Sequence, residues 1–169
     1  MNGPHPEGIP SGLKDSVLFH LDAALRVINR RTELLLQEKL GLALREALII
    51  QAASSRPPLS QGRIADSLGV NRNVMVLEID RLDDQVHGGV RGAGFLKRER
   101  RDENRREATI VLTPKGRRTL TAILKLRSQV WRDVLRPTSP DQRADLLAWA
   151  RAVIEQDDPP KPSREKKMR

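Results

Sequence analysis

The sequence predicts a mainly α-helical protein with a small β-wing, arranged as a winged helix-turn-helix. Residues 59–82 contain two short amphipathic helices joined by a glycine turn, which is the pattern of a helix-turn-helix. Residues 94–101 and 107–112 then form two predicted strands, so a hairpin, or wing, follows directly. Because a helix-turn-helix places its second helix in the DNA major groove, this order of elements predicts a DNA-binding protein.

Local residues define the two helices of the helix-turn-helix. Ser60 can cap the first helix, and Gly69 follows its last apolar residue, where a positive φ is needed. Asn71 can cap the second helix. Three apolar residues of that helix fall on one side and are predicted to face the core: Met75, Ile79 and Leu82.

Two helices are predicted before this unit. The first covers residues 14–40, and its apolar seam has spacings of three and four: Leu18, Leu21, Leu25, Ile28, Thr32 and Leu35. Its apolar surface is wider than one seam, which favours contact with a partner subunit over burial within its own domain alone. The second helix covers residues 43–54, with Leu44, Leu48 and Ile49 predicted to point inward.

Two more helices are predicted after the wing. Thr113 and Pro114 begin a helix that ends near residue 135, with four apolar residues on one face: Ile123, Leu126, Val130 and Val134. Residues 139–142 form a capping box that begins the last helix. Residues 85–94 contain four glycines and predict a mobile loop, while residues 1–13 and the basic tail 157–169 are expected to be disordered.

Composition narrows the class of function. The formal net charge of +9 favours a polyanionic partner such as nucleic acid, the alternative being a basic protein without one. Aromatic residues make up only 2%, which argues against modules that stack unpaired bases. The sequence contains no cysteine, which excludes disulfides, thiol redox sensing and thiolate zinc sites.

Catalytic and metal sites are not expected. The three histidines lie far apart in the sequence, so no metal site is predicted, and no catalytic constellation or cofactor motif is present. A signal peptide and an apolar run of about 20 residues are also missing from the sequence. We therefore expect a cytoplasmic protein that is not an enzyme and does not contact a membrane.

Three segments resemble the MarR family of bacterial transcription regulators. Residues 104–116 are similar to the family's wing, with two Arg, an alternating strand and Leu-Thr-x-x-Gly, and residues 68–76 and 79–82 are similar to its recognition helix. The resemblance covers about residues 14–156. It implies dimerisation helices at 14–41 and 114–156 around a winged helix-turn-helix at 43–112. It also implies a homodimer on a pseudo-palindromic operator, often a repressor released by a small molecule.

The sequence departs from the family pattern in three places. Asn104 stands where relatives often have Asp, so a charge-assisted pair with a wing Arg is lost. Val74, Val76 and Leu77 occupy the middle of the recognition helix, where many relatives carry Thr or Arg. The 85–94 loop is longer than usual, which leaves the position of the wing open.

Twelve residues are predicted to contact DNA: Ser60, Gln61, Asn71, Arg72, Asn73, Val74, Val76, Leu77, Arg81, Arg101, Arg105 and Arg106. Arg72 can read guanine or hold a phosphate, and Asn73 can read adenine. Asn71 fits a cap better than a base contact. The apolar residues either touch thymine methyls or pack on the loop or wing. Of the wing arginines, Arg105 and Arg106 suit the minor groove or phosphates, and one of this pair is expected to be structural.

Two further interpretations concern regulation and packing. Phe19, His20 and Trp131 lie on helices that border a ligand pocket in relatives, the alternative being ordinary packing. Glu78 is expected to form a surface pair with Arg81. A protein-interaction module and a sequence-independent architectural DNA-binding protein remain as alternative functions.

Overall fold

The computed structural model of the chain describes residues 15–87, 90–99 and 108–156. These ranges contain six helices and two pairs of short antiparallel strands, in the predicted order. They are α1 (Val17–Leu40), α2 (Leu44–Ala52), α3 (Gln61–Ser67), α4 (Arg72–Leu82), β1 (Val86–His87), β2 (Val90–Arg91), β3 (Leu96–Glu99), β4 (Thr109–Leu112), α5 (Pro114–Val134) and α6 (Pro140–Gln156). The predicted fold class is thus confirmed. The segments expected to be disordered, 1–13 and 157–169, lie outside the described residues.

The chain divides into two units, one ending at Trp131 and the other beginning at Arg132. The core of the first unit is formed by side chains from α1 to α5 and from the wing strands. Its largest fully buried apolar side chains are Leu36, Ile49, Ile50, Ile64, Met75, Ile79, Leu82, Leu96, Ile110 and Ile123. Burial of this set supplies the main stabilisation of the unit, because apolar area removed from water contributes about 25 cal/mol per Å².

Helix α1 packs on this core only through the second half of its length. Ile28, Thr32 and Leu36 are buried at steps of four residues, so the predicted seam is right in the middle but wrong at Leu35, which is half-buried. Leu18 and Leu25 of the same seam are exposed. The alternative of a helix buried wholly within its own domain is therefore wrong.

Helix α2 buries one of its three predicted inward residues, Ile49, but not the other two. Ala47, Ile49 and Ile50 are buried, whereas Leu44 and Leu48 are half-buried because they line an open cleft. The helix begins one residue later than expected, at the point where the Glu46 side chain accepts a hydrogen bond from the backbone N–H of Ala43 (2.8 Å).

The helix-turn-helix forms as its capping residues predict. Ser60 Oγ accepts a hydrogen bond from the N–H of Arg63 (3.4 Å), which caps α3. Gly69 adopts a φ of 62° in the turn, and Asn71 Oδ1 then accepts from the N–H of Asn73 (2.8 Å) at the start of α4. The buried residues of α4 are the three predicted from the sequence.

The two last helices also begin at their predicted caps. Thr113 Oγ1 accepts from the N–H of Gly116 (3.0 Å) ahead of α5. Ser139 and Gln142 exchange hydrogen bonds of 2.8 and 3.2 Å ahead of α6, which is the reciprocal arrangement of a capping box. No residue of α6 is buried over its described length. None of the helices in the described ranges is long and apolar enough to cross a membrane.

The wing strands pair antiparallel, with Leu96 opposite Leu112 and Glu99 opposite Thr109. Ile110 and Leu112 are buried, as the alternating pattern predicts. The backbone N–H of Ile110 also donates to the carbonyl of Leu59 (2.9 Å), so the wing is tied to the residues that lead into α3.

The 85–94 segment differs from its prediction as a mobile loop. Its described residues pair as β1 and β2, with Val86 opposite Arg91. The chain then returns along the end of α4 through backbone hydrogen bonds. The N–H of Ala93 donates to Arg81 O (2.7 Å) and that of Gly94 to Asp83 O (2.8 Å). The prediction failed because glycines signal backbone freedom, and here one of them allows a close backbone approach.

Candidate nucleic-acid interface

Helix α4 presents one face to the core and the opposite face to solvent. With 100° between successive residues, Asn73 and Leu77 lie opposite the buried side formed by Met75, Ile79 and Leu82. The exposed residues of α4 and its cap include most of the predicted contacts: Asn71, Arg72, Asn73, Val74, Val76, Leu77 and Arg81. All seven are accessible, and we call the exposed side of α4 that is centred on Asn73 and Leu77 the outer face of α4.

The first turn of α4 carries the predicted base-reading residues. The Arg72 guanidinium lies 3.2 Å from a carboxylate oxygen of Asp66 on α3, and both side chains are largely exposed. Such an exposed pair contributes little stability, so a phosphate or a guanine can replace Asp66 as the partner of Arg72. The Asn71 side chain is engaged as the cap, as expected, while the Asn73 side chain is exposed.

The residues at the start of α3 occupy a different environment from α4. Ser60 is buried, and its hydroxyl accepts the capping hydrogen bond of α3. The DNA contact predicted for it stays a prediction. Gln61, the first residue of α3, is half-buried.

Arg81 and Glu78 belong to a network that joins α4 to α2. Arg81 lies 3.3 Å from Glu46 and 3.7 Å from Glu78, and Glu78 also lies 3.7 Å from Arg45. The predicted pair of Glu78 with Arg81 is present, but the Glu78 side chain is only 15% exposed, so the pair is not at the surface as predicted. Spacing along α4 predicted the Arg81 contact, but only the packing of α2 against α4 could add Arg45 and Glu46.

A buried ion-pair cluster holds the wing against the end of α4. The Arg98 guanidinium on β3 donates to the carboxylates of both Asp80 and Asp83, and Asp83 is fully buried. The sequence analysis missed this cluster. Two features of the sequence could have indicated it. Arg98 follows the buried Leu96 by two residues and so lies on the same face of the strand, and two aspartates stand three residues apart at the end of the preceding helix.

The close approach at Gly92 strengthens the same junction. A Cβ at this position would lie 2.4 Å from Asp83 O and 2.7 Å from Asp80 O, both of which are backbone atoms. Only glycine fits there without displacing the backbone. The recognition helix and the base of the wing are thus fixed relative to one another. The wing arginines predicted to contact DNA, Arg101, Arg105 and Arg106, lie outside the described residues.

The middle of the outer face is apolar. Leu77 is 65% exposed, and Val74 and Val76 are 37% and 39% exposed. Contact with thymine methyls and packing on the loop or wing both stay predictions for them. They remain available to a partner that approaches α4.

An open cleft of about 550 Å³ lies beside the turn of the helix-turn-helix. Its lining comes from α1, α2, the α3–α4 turn and α4: Glu33, Ala43, Leu44, Arg45, Leu48, Leu68, Gly69, Val70 and Glu78. Glu78 Oε2 is buried within this wall and has no hydrogen-bond partner among the described residues.

The residues predicted to border a ligand pocket lie elsewhere. The rings of Phe19 and His20 pack edge to face, with their centroids 5.6 Å apart, and His20 Nδ1 lies 2.8 Å from Ser16 O. Trp131 is half-buried on α5. None of the three residues lines the cleft.

Solved structures share this architecture. A MarR family regulator from Silicibacter pomeroyi superimposes with a TM-score of 0.71 at 18% identity, covering 92% of this chain and 99% of its own. Sco3205 from Streptomyces coelicolor, a MarR family regulator solved in complex with DNA, gives 0.69 at 19% identity with 95% of both chains covered. Mycobacterium tuberculosis RV2887, solved with salicylic acid, gives 0.63 at 20% identity, covering 87% and 98%.

These likenesses show the fold. The chain has the MarR-type winged-helix fold, as the resemblance of its motifs implied. No protein-family model matches the sequence, and a search of curated proteins found no match.

Proposed function

We propose that the protein is a sequence-specific regulator of transcription that binds double-stranded DNA through the outer face of α4. The observation that carries this proposal is the accessible second helix of a helix-turn-helix, fixed against a wing by the Arg98 cluster. The formal net charge of +9 favours approach to DNA. Sco3205, whose fold is similar, was solved with DNA bound, which supports the same use here.

The proposed active form is a homodimer on a pseudo-palindromic operator. The apolar residues that a second copy would cover are exposed on α1 and on α6. On α1 they are Val17, Leu18, Leu25, Val27 and Leu34, and on α6 they are Leu146, Leu147, Trp149, Val153 and Ile154. Exposed apolar surface of this extent is typical of an interaction site. Two-fold symmetry would then place the recognition helices about 34–36 Å apart, one turn of the duplex.

We further propose that the protein is a repressor released by a small molecule. The cleft beside the helix-turn-helix is the site that we favour, because it is lined by Glu78 of the recognition helix and by the turn at Gly69. A ligand seated there would contact both α4 and α2, and so would favour one arrangement of the two helices. RV2887 was solved with salicylic acid, which supports ligand binding on this fold. The surface near Phe19 and His20 is the second candidate.

Protection of the DNA flanking the protein's own gene tests this function. We expect a protected site whose affinity falls steeply between 50 and 200 mM salt, because each neutralised phosphate adds about 0.9 to the slope of log K against log salt. Failure to bind duplex DNA at low salt, or binding that salt does not change, would contradict the proposal. Release of the DNA by members of a panel of aromatic carboxylates and amines would support ligand control.

Variants separate specific binding from the architectural alternative. Arg72→Ala should change the base preference at one position of each half-site, whereas Arg105→Ala and Arg106→Ala should weaken binding to most sequences. If random DNA competes for the protein as effectively as the protected site does, binding is independent of sequence. The exposed Val74, Val76 and Leu77 keep a protein-interaction module as a second candidate function.

A further inference from the structure

We propose that Leu77, flanked by Val74 and Val76, reads thymine through its C5 methyl group. The operator half-site would then carry thymines where the middle of α4 meets the major groove. This inference rests on the proposed function, since it requires α4 to lie in the groove of a duplex. To that function the inference adds that the middle of the helix contacts bases through apolar groups.

Leu77 occupies the position from which a groove-bound helix touches base edges. It lies opposite the buried side of α4 and one turn after Asn73, so the two side chains project from the same face. At 1.5 Å per residue, Leu77 lies about 7.5 Å along the axis from Arg72. A base contacted by Leu77 therefore neighbours the bases within reach of the first turn.

The polar residues around Leu77 form ion pairs with other residues of the protein. Asp80 is bound by Arg98 of the wing. Arg81 and Glu78 pair with each other and with side chains of α2. Between Asn73 and Arg81, the exposed side chains of the helix are hydrocarbon only. The middle of α4 therefore reads bases by apolar contact rather than by hydrogen bonds.

Helix stability does not explain these side chains. Valine is a poorer helix former than alanine, and Val74 and Val76 remain 37% and 39% exposed. β-Branched side chains also have one strongly preferred rotamer in a helix. Their methyl groups are thus fixed before binding, which reduces the entropy lost on contact.

The thymine methyl is the apolar group that the major groove offers. Adenine, guanine and cytosine present hydrogen-bond donors or acceptors there, while thymine presents an acceptor and the C5 methyl. Leu77 against a thymine methyl buries apolar area on both sides. Against a G·C pair, the same side chain would cover polar groups without bonding them, which costs free energy. Selectivity for thymine would therefore have two sources: the favourable contact with the methyl group and the cost of covering the polar groups of a G·C pair.

The charges around the outer face favour DNA over an apolar protein partner. Arg72 and Arg81, both exposed, precede and follow along α4 the hydrocarbon strip formed by Val74, Val76 and Leu77. Cationic side chains that flank an apolar centre suit a groove, whose rims are phosphates and whose floor carries the methyl groups. This complementarity is the reason for choosing a duplex as the occupant.

Replacement of thymidine by deoxyuridine tests the proposal, because it removes only the C5 methyl. The best-bound duplex is first selected from a random library with the full chain. It is then resynthesised with deoxyuridine at one thymidine at a time. We expect Kd to rise about fourfold for each methyl in contact, the effect of one buried methyl group, at central positions of each half-site.

The variant Leu77→Ala should bind the thymidine duplex several-fold more weakly and show no further loss on the deoxyuridine duplex. Leu77 is exposed, so circular dichroism should show an unchanged fold. Leu124→Ala is the matched control, since Leu124 is an exposed leucine on α5, and it should keep the fourfold difference between the duplexes.

Four results would overturn the inference. Equal affinity for thymidine and deoxyuridine duplexes would remove it while leaving the DNA-binding function in place. A deoxyuridine effect that persists in Leu77→Ala and Val76→Ala would show that the methyls act through DNA shape. Selection that yields no bound duplex would remove both the inference and the proposed function. Loss of a protein partner in Leu77→Ala, with DNA affinity unchanged, would assign the strip to protein docking.

Discussion

The winged helix-turn-helix buries its large apolar residues, whereas the terminal helices α1 and α6 expose many of theirs. In the first, residues such as Ile64, Met75 and Leu96 are fully buried, and the buried carboxylate of Asp83 is paired with Arg98. In α6 no residue is buried, and the first half of α1 exposes Leu18 at 79%. The comparison indicates that the winged helix-turn-helix is stabilised within one chain, while the apolar faces of α1 and α6 are suited to a partner.

The largest expected effect concerns Arg98. Arg98→Ala should lower the free energy of unfolding by about 3 kcal/mol, because it removes one ion-pair partner of the fully buried Asp83 carboxylate and the link from the wing to α4. Denaturant unfolding measures this loss. Lys97→Ala is the matched control, since Lys97 pairs with Glu99 at the surface and should lose less than about 1 kcal/mol. Equal losses in the two variants would mean that the wing junction is no more tightly held than the surface.

A smaller effect is expected at Gly92. Gly92→Ala should cost about 1–3 kcal/mol, because the added methyl meets backbone oxygens of Asp83 and Asp80 and must displace them. The control is Gly69→Ala, whose added Cβ meets nothing, so its cost is that of a positive φ, about 1 kcal/mol. Hydrogen exchange at the Ala93 and Gly94 amides should accelerate in Gly92→Ala only, and unchanged exchange would contradict the close junction.

The helix caps compare the two regions directly. Ser60→Ala should cost about 1–2 kcal/mol, since Ser60 is buried and the N–H of Arg63 loses its acceptor. Ser139→Ala removes an exposed cap of α6, where water replaces the hydroxyl, and should cost about 0.5 kcal/mol. Thermal unfolding of both variants measures the difference. A larger loss for Ser139→Ala would show that α6 is more tightly integrated than its exposure indicates.

The smallest effect on a single chain is expected on the terminal helices. Leu18→Ser and Ile154→Ser should change the unfolding free energy of isolated chains by less than about 0.5 kcal/mol, because both residues are exposed. If a second copy covers them, the wild-type unfolding midpoint will rise with protein concentration, and these variants will lose that rise. Leu77→Ser, also exposed, should keep it. A wild-type midpoint independent of concentration would contradict the proposed homodimer.

Short-range chemistry explains which features could be predicted from the sequence. The helix-turn-helix, its caps at Ser60 and Asn71, and the capping box at Ser139 depend on residues within three or four positions of each other. The buried side of α4 follows from helical periodicity alone. The exposure of Leu77 on the opposite side follows from the same periodicity.

Contacts between distant segments could not be predicted in this way. Glycines at 85–94 indicate backbone freedom, but the docking of this segment depends on the carbonyls at the end of α4. Leu44 and Leu48 of α2 stay half-buried because they line a cleft, which depends on how α1, α2 and α4 pack. Thus the sequence by itself determined the elements, their order and their caps. The tertiary structure alone decided that Arg98 joins Asp80 and Asp83, since a buried charge requires partners that only folding brings within reach.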